Sequence, residues 1–240
     1  MLLDHFHSPL KDIRLWTGLH GMWAGKIASA LNRQLPEGWF AAPTIHWAID
    51  VDVPAFEEPA ATAQPQADAP GAAVRTLPEP TKTIPFGVTT DVVEVRVYHE
   101  LGELVLAGAI EFVSPANKDR PDSREAFVAK CDGYLRDGIG LVIVDVVTTR
   151  RANLHSELMQ RLGEAEERDR PLYAAAYRPL IHERGSTLSV WYEPLEPGGE
   201  LPTVLLFLRN GPIVEVPLAE TYREACLDLK IPMQTKSGNP

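Results

Sequence analysis

The stretch from Asp91 to Thr148 constrains this chain more than any other, because it sets a strand hairpin, a capped helix and a wholly apolar strand in one continuous run. The two hairpin strands are Asp91-Val-Val-Glu-Val-Arg-Val-Tyr98 and Leu104-Val-Leu-Ala-Gly-Ala-Ile-Glu-Phe-Val113, and the turn between them carries Gly102. A turn centred on Leu101, with Gly102 free to take φ > 0, pairs Asp91 with Glu111. In that register Val93, Val95 and Val97 share a face with Val105, Ala107 and Ala109, since strand side chains alternate with period two. Two carboxylates then stand side by side at the end of an apolar face. Buried acids are costly unless they are paired, protonated or holding a cation.

The rest of the stretch supplies possible partners for those acids. Ser114-Pro115 ends the second strand, because proline cannot donate to a sheet ladder, and residues 116–121 read as a loop. Asp122 with Glu125 three residues on has the form of a capping box, and Gly138 closes the helix after Asp137. Phe127, Cys131 and Tyr134 form its buried stripe, and Lys130 falls beside them. Either its amine turns inward to the acids, or its stem packs while the amine reaches water. Lys118 is the competing amine, but solvent and Asp119 compete for it. Between the two, the sequence favours Lys130. Ile139–Val147 reads as a central strand covered on both faces, with Asp145 a third acid in apolar company. Asp145 has a structural role, pairing with an arginine such as Arg150 or Arg151, or a catalytic one.

Toward the N-terminus, residues 9–35 read as one amphipathic helix bearing Leu15, Trp16, Leu19, Met22, Trp23, Ile27 and Leu31, stopped by Pro36. His5 and His7 read as part of a loose terminus. Trp39–Val53 alternates as a strand. Residues 54–85 shift to Ala, Pro, Gln and acids and read as a long surface loop, since they cannot bury enough apolar area to offset ordering entropy. Beyond residue 150 the pattern gives a helix over 153–168, strands near 172–182, 186–193 and 201–208, and a short helix over 218–229. The expected organisation is one domain over 1–240, with the 54–85 loop inserted in it and 172–231 as a β-rich C-terminal extension.

Composition narrows the function classes. The 240 residues are 45% hydrophobic, enough for one substantial core, and the formal net charge is −10. That charge argues against broad, sequence-blind nucleic-acid binding but leaves room for a locally basic cleft. Cys131 and Cys226 make no metal-ligand spacing and read as core thiols of a reducing compartment. No apolar run approaches the roughly 18 residues of a membrane span, so the expectation is a soluble, cytoplasmic protein with no membrane partner.

The order helix, strand, strand-turn-strand, helix, strand, with acids on the hairpin, resembles the PD-(D/E)XK endonuclease-like fold. The expected fold class is therefore α/β (α+β), a mixed sheet with flanking helices around such a core. In that superfamily an aspartate and a second acid on neighbouring hairpin strands bind a divalent cation, and a lysine two residues after the second acid positions the attacking water. Asp91 and Glu111 match the acids; Val113 stands at the lysine position, so the resemblance implies an amine moved to Lys130 or Lys118. Over nearly the whole chain, Ser8-Pro-Leu with Trp16 and His20, Leu35-Pro36, Ile110-Glu-Phe-Val-Ser-Pro-Ala-Asn-Lys118, Val142-Ile-Val-Asp145 and Leu227-Asp-Leu-Lys-Ile231 look like a bacterial family defined only as a domain of unknown function. The Glu-x-x-Ser-Pro element also recurs in Uma-type restriction endonuclease-like proteins.

Two functions follow as expectations. The first is a magnesium-dependent nucleic-acid phosphodiesterase: Asp91 and Glu111 as Mg²⁺ ligands, Lys130 or Lys118 as the catalytic amine, Lys118, Arg120 and Arg124 on backbone phosphates, and Ser114 and Asp145 in support. The second is a catalytically inactive module of the same fold that binds a protein partner or its own copy. The acidic balance, Val113 and His46 point that way.

Overall fold

The computed structural model describes residues 1–13, 16–46, 92–164, 170–182 and 185–233. Among these, the main sheet is mixed and six-stranded, ordered β1 (Trp39–His46), β2 (Val92–Glu100), β3 (Leu104–Phe112), β4 (Gly140–Asp145), β5 (Tyr173–Leu180) and β6 (Thr187–Pro194). Neighbouring strands run antiparallel except β3 and β4, which are parallel. That pair needs a crossover, and the connection carries two helices, α3 (Pro115–Asp119) and α4 (Pro121–Arg136). β4 is buried at every position, as its unbroken apolar run demands. β1 tolerates Pro43 because it lies at the sheet edge.

The two faces of the sheet are covered differently. On one lie α2 (Trp16–Asn32), α6 (Leu218–Asp228) and a separate two-stranded ribbon of β7 (Thr203–Phe207) and β8 (Ile213–Pro217). Trp23 is fully buried there, its ring 5.0 Å from Phe112 and its indole N–H donated to Thr221 at 3.1 Å. The other face carries α4 and α5 (Leu154–Arg161), with Phe127, Cys131, Leu154 and Leu158 buried against the strands. Burial of these side chains contributes roughly 1.5–3 kcal/mol apiece.

Several expected elements have different bounds. The N-terminal helix is two, α1 (Leu10–Ile13) and α2. Instead of a loose terminus, His5 is buried and hydrogen-bonded to the Tyr222 hydroxyl at 2.5 Å, and Leu2 N–H and C=O both bond to the loop at Gly198–Gly199. The expected loop after β3 is helix α3: Ser114 caps it, accepting from Asn117 N–H at 3.3 Å while the Asn117 side chain accepts from Ser114 N–H at 2.8 Å. Pro115 at its first position is preorganised for a helix start. α4 begins at Pro121 and takes no side-chain cap from Asp122. Its end is as expected, with Gly138 at φ 75°. The 54–85 loop and the continuation of β1 to Val53 lie outside the described residues.

Register is where the hairpin departs most. Glu100 faces Leu104 across the turn, and a bulge opposite Val97/Tyr98 leaves Ala107 as the extra residue. Beyond it Val97 faces Gly108, Val95 faces Ile110, Glu94 faces Glu111 and Val93 faces Phe112. A one-residue bulge moves every later side chain of that strand to the other face. The valines therefore share a face with Gly108, Ile110 and Phe112, not with Val105, Ala107 and Ala109. Glu111 finds Glu94 as its partner, not Asp91.

Candidate active site

Glu94 and Glu111 each stand between apolar neighbours in their strands, and the register sets them side by side on the face covered by α4. Both are buried, at 0% and 1% exposure. Lys130 comes down from α4 with its Nζ 2.7 Å from Glu111 Oε2 and 3.6 Å from Glu94 Oε2. Tyr134, one helical turn on, donates its hydroxyl to Glu94 Oε2 at 3.1 Å, and Arg96 closes on Glu94 Oε1 at 2.6 Å. The Lys130 side chain keeps 28% of its surface exposed, so the cluster lies close to solvent on the lysine side.

Electrostatics divides the two carboxyls. Burial pushes Glu111 up, to about 8, against the attraction of Lys130 and with the neighbouring Glu94 adding to the rise. Burial works the same way on Glu94, but the hydrogen bond to the Glu111 carboxyl and the charges of Lys130 and Arg96 hold it below its ordinary value. Burial opposes the Lys130 charge, yet Glu111 and Glu94 outweigh it and raise its pKa. At neutral pH the pair shares one proton, Glu94 is the ionised member, and Lys130 is a cation.

Lys118 has another fate. It lies on α3, and its Nζ donates to Asp145 Oδ2 at 2.8 Å and to the Pro171 carbonyl at 3.2 Å, with no exposed surface on either partner of the ion pair. Asp145 Oδ1 accepts from Val147 N–H at 3.0 Å. Burial raises Asp145 to about 6, partly offset by Lys118 and that N–H. The expected partner Arg150 instead pairs with Asp119 at 2.9 Å. Lys118 is thus sealed away from any phosphate, and Asp145 is its structural counter-ion. Arg124 is engaged with Glu157 at 2.8 Å, whereas Arg120 is exposed. Ser114 is buried as the α3 cap. Asp91 lies outside the described residues.

The structure therefore brings together Glu111 and Lys130 from the expected set and adds Glu94, Arg96 and Tyr134. Glu94 carried the same signal as Glu111, an acid between apolar residues, but the bulge that pairs them leaves no mark in the sequence. Among the described residues no three His, Cys, Asp or Glu side chains gather as a metal site. Apart from the proton shared with Glu94, Glu111 Oε1 meets no donor there. Two facing carboxylates that give up such a proton fit a hard cation, which is commonly held by one or two carboxylates together with water and phosphate oxygens. Comparison with protein-family models, with curated proteins and with solved structures finds no match.

Proposed function

We propose that the chain is a PD-(D/E)XK-like, metal-dependent phosphodiesterase acting on nucleic acid, with Glu94, Glu111 and Lys130 as its working groups. The observation that carries this reading is the meeting of one amine with two cross-strand carboxylates, at 2.7 and 3.6 Å, on one face of a hairpin. Glu111 and Glu94 would hold Mg²⁺ in place of the proton they share, and the cation would supply charge neutralisation at the phosphate and a more acidic water. Lys130, protonated and partly exposed, stands where a phosphoryl oxygen approaches and stabilises charge developing there. Tyr134 keeps its proton, since burial and the two carboxylates raise its pKa, and holds Glu94 in place.

The near-complete burial of both carboxylates favours a second reading, a catalytically silent module in which Lys130 seals an acid pair. Calorimetric titration of Mg²⁺ or Mn²⁺ into the purified protein separates them. The enzyme reading expects binding that is lost in Glu111→Gln, tightens as pH rises toward 8, and releases a proton per cation at neutral pH. It also expects metal-dependent cleavage of a labelled oligonucleotide, abolished in Lys130→Ala. No heat of binding in wild type, with no cleavage, rejects the enzyme.

A further inference from the structure

The sequence placed phosphate contacts on Lys118, Arg120 and Arg124, and two of these are occupied by carboxylates. A different basic surface exists. A groove of about 700 Å³ crosses the end of the main sheet where α4 stops, lined by Arg136, Arg178, His182 and Arg209. Arg178 lies over the Phe207 ring at 5.2 Å, and among the described residues neither Arg178 nor Arg209 meets a carboxylate in an ion pair. Arg136 pairs with Asp132 at 2.8 Å but remains 66% exposed. Asp137 is the one carboxylate among the described residues of the lining. In a chain of net charge −10, three guanidiniums around one groove are a local reversal of sign.

The walls are fixed by backbone approaches. The hairpin bulge frees the Ala107 carbonyl, which accepts Arg209 N–H at 2.8 Å and pins the β7–β8 turn to the sheet. At Gly140 a Cβ would fall 1.7 Å from the Phe207 carbonyl oxygen, and at Gly211 one would fall 2.2 Å from the Trp39 ring. Both positions must lack a side chain for the turn to seat. The arginines are thus presented by a clamped turn and a sheet strand, the preorganisation that multidentate phosphate recognition uses. Arg136 and Lys130 are six residues apart on α4, about 9 Å along its axis.

We infer that this groove binds the phosphate backbone of a single nucleic-acid strand, with Arg178 and Arg209 as the principal contacts. The corner made by Asp137 and the C-terminal carbonyls of α4 repels anions, so the strand follows the Arg178–Arg209 side. This rests on the reading of the chain as acting on nucleic acid, but it needs no metal. Its test is therefore run in EDTA: fluorescence anisotropy of a labelled single-stranded oligonucleotide over a series of salt concentrations. Arg178→Gln/Arg209→Gln should weaken binding at least tenfold at low salt and reduce the log–log salt slope by about 1.4, for two lost single-strand phosphate contacts. Arg209→Gln alone, exposed and outside the core, should give half that slope change. Arg223→Gln, exposed on α6, should bind as wild type. Absence of oligonucleotide binding by wild type, or unchanged binding in the double variant, overturns the inference. Metal binding at Glu111 with an inert groove removes this inference alone, and groove binding with no metal site removes the catalytic reading alone.

Discussion

Two lysine–carboxylate pairs stand on the same face of the main sheet, and they are built to opposite specifications. At Lys118–Asp145 both side chains are fully buried, each carboxylate oxygen has a donor, and the amine takes a backbone carbonyl as well. At Lys130–Glu111 the lysine side chain is partly exposed, a second carboxylate crowds the first, and the two carboxyls share a proton. A complete pair in a dry site fixes the crossover from β3 to β4 in place. The other is closed only by a proton that Glu111 shares with Glu94. The difference lies in the surroundings, since the chemical groups are nearly the same.

The largest effect should come from breaking the complete pair. Lys118→Ala or Asp145→Ala leaves an uncompensated buried charge and should cost about 3–5 kcal/mol, whereas Lys118→Met/Asp145→Leu, which removes both charges, should come near neutral. Chemical denaturation of the three variants checks this. Equal losses in single and double variants would show packing, not charge, to be at work. Lys130→Ala should cost less, about 2 kcal/mol, because its acids can take up a further proton and its side chain is already partly exposed. A loss as large as that of Lys118→Ala would erase the contrast.

The contrast also explains what was legible beforehand. The hairpin, the helix that ends at Gly138 and the buried β4 could be read because each rests on local pattern: alternation, a left-handed glycine, an unbroken apolar run. Lys130 could be placed on its helix face for the same reason. Glu94 could not be matched to Glu111, because the turn centres on Gly102 rather than Leu101 and a bulge at Ala107 then moves the register by one more residue. Lys118 was assigned to a loop although Ser114 and Pro115 are a helix start, and from a loop its burial on Asp145 could not be foreseen.

Glu111→Gln sharpens the comparison through pH. The folded carboxyl sits near 8, above its ordinary value, so the native state holds the proton that the unfolded chain releases. Stability from this group is present at low pH and falls as pH rises from about 4.5 to 8. Asp145, raised only to about 6, completes its fall earlier. Glutamine mimics the protonated form, so the variant should match wild type below about pH 4.5 and exceed it increasingly toward pH 8, by about 1 kcal/mol or more. Melting curves across that range check it. A constant offset at all pH values would mean that Glu111 is ionised throughout.

Tyr134→Phe should have the smallest effect and reports on where the shared proton rests. The hydroxyl donates to Glu94 Oε2 at 3.1 Å, and Glu94 still keeps Arg96 and Lys130 when it is gone. The cost should be about 1 kcal/mol or less. Its pH dependence runs opposite to that of Glu111→Gln: Glu94 lies below its ordinary value, so the hydroxyl's contribution is present above about 4.5 and is lost as pH falls through the folded pKa of Glu94. The same penalty should persist in a Glu111→Gln background, where no carboxyl proton remains to share. If it vanishes there, or survives unchanged into acid, the ionised member is not Glu94. The assignment of Glu111 as the carboxyl that a metal must deprotonate then reverses.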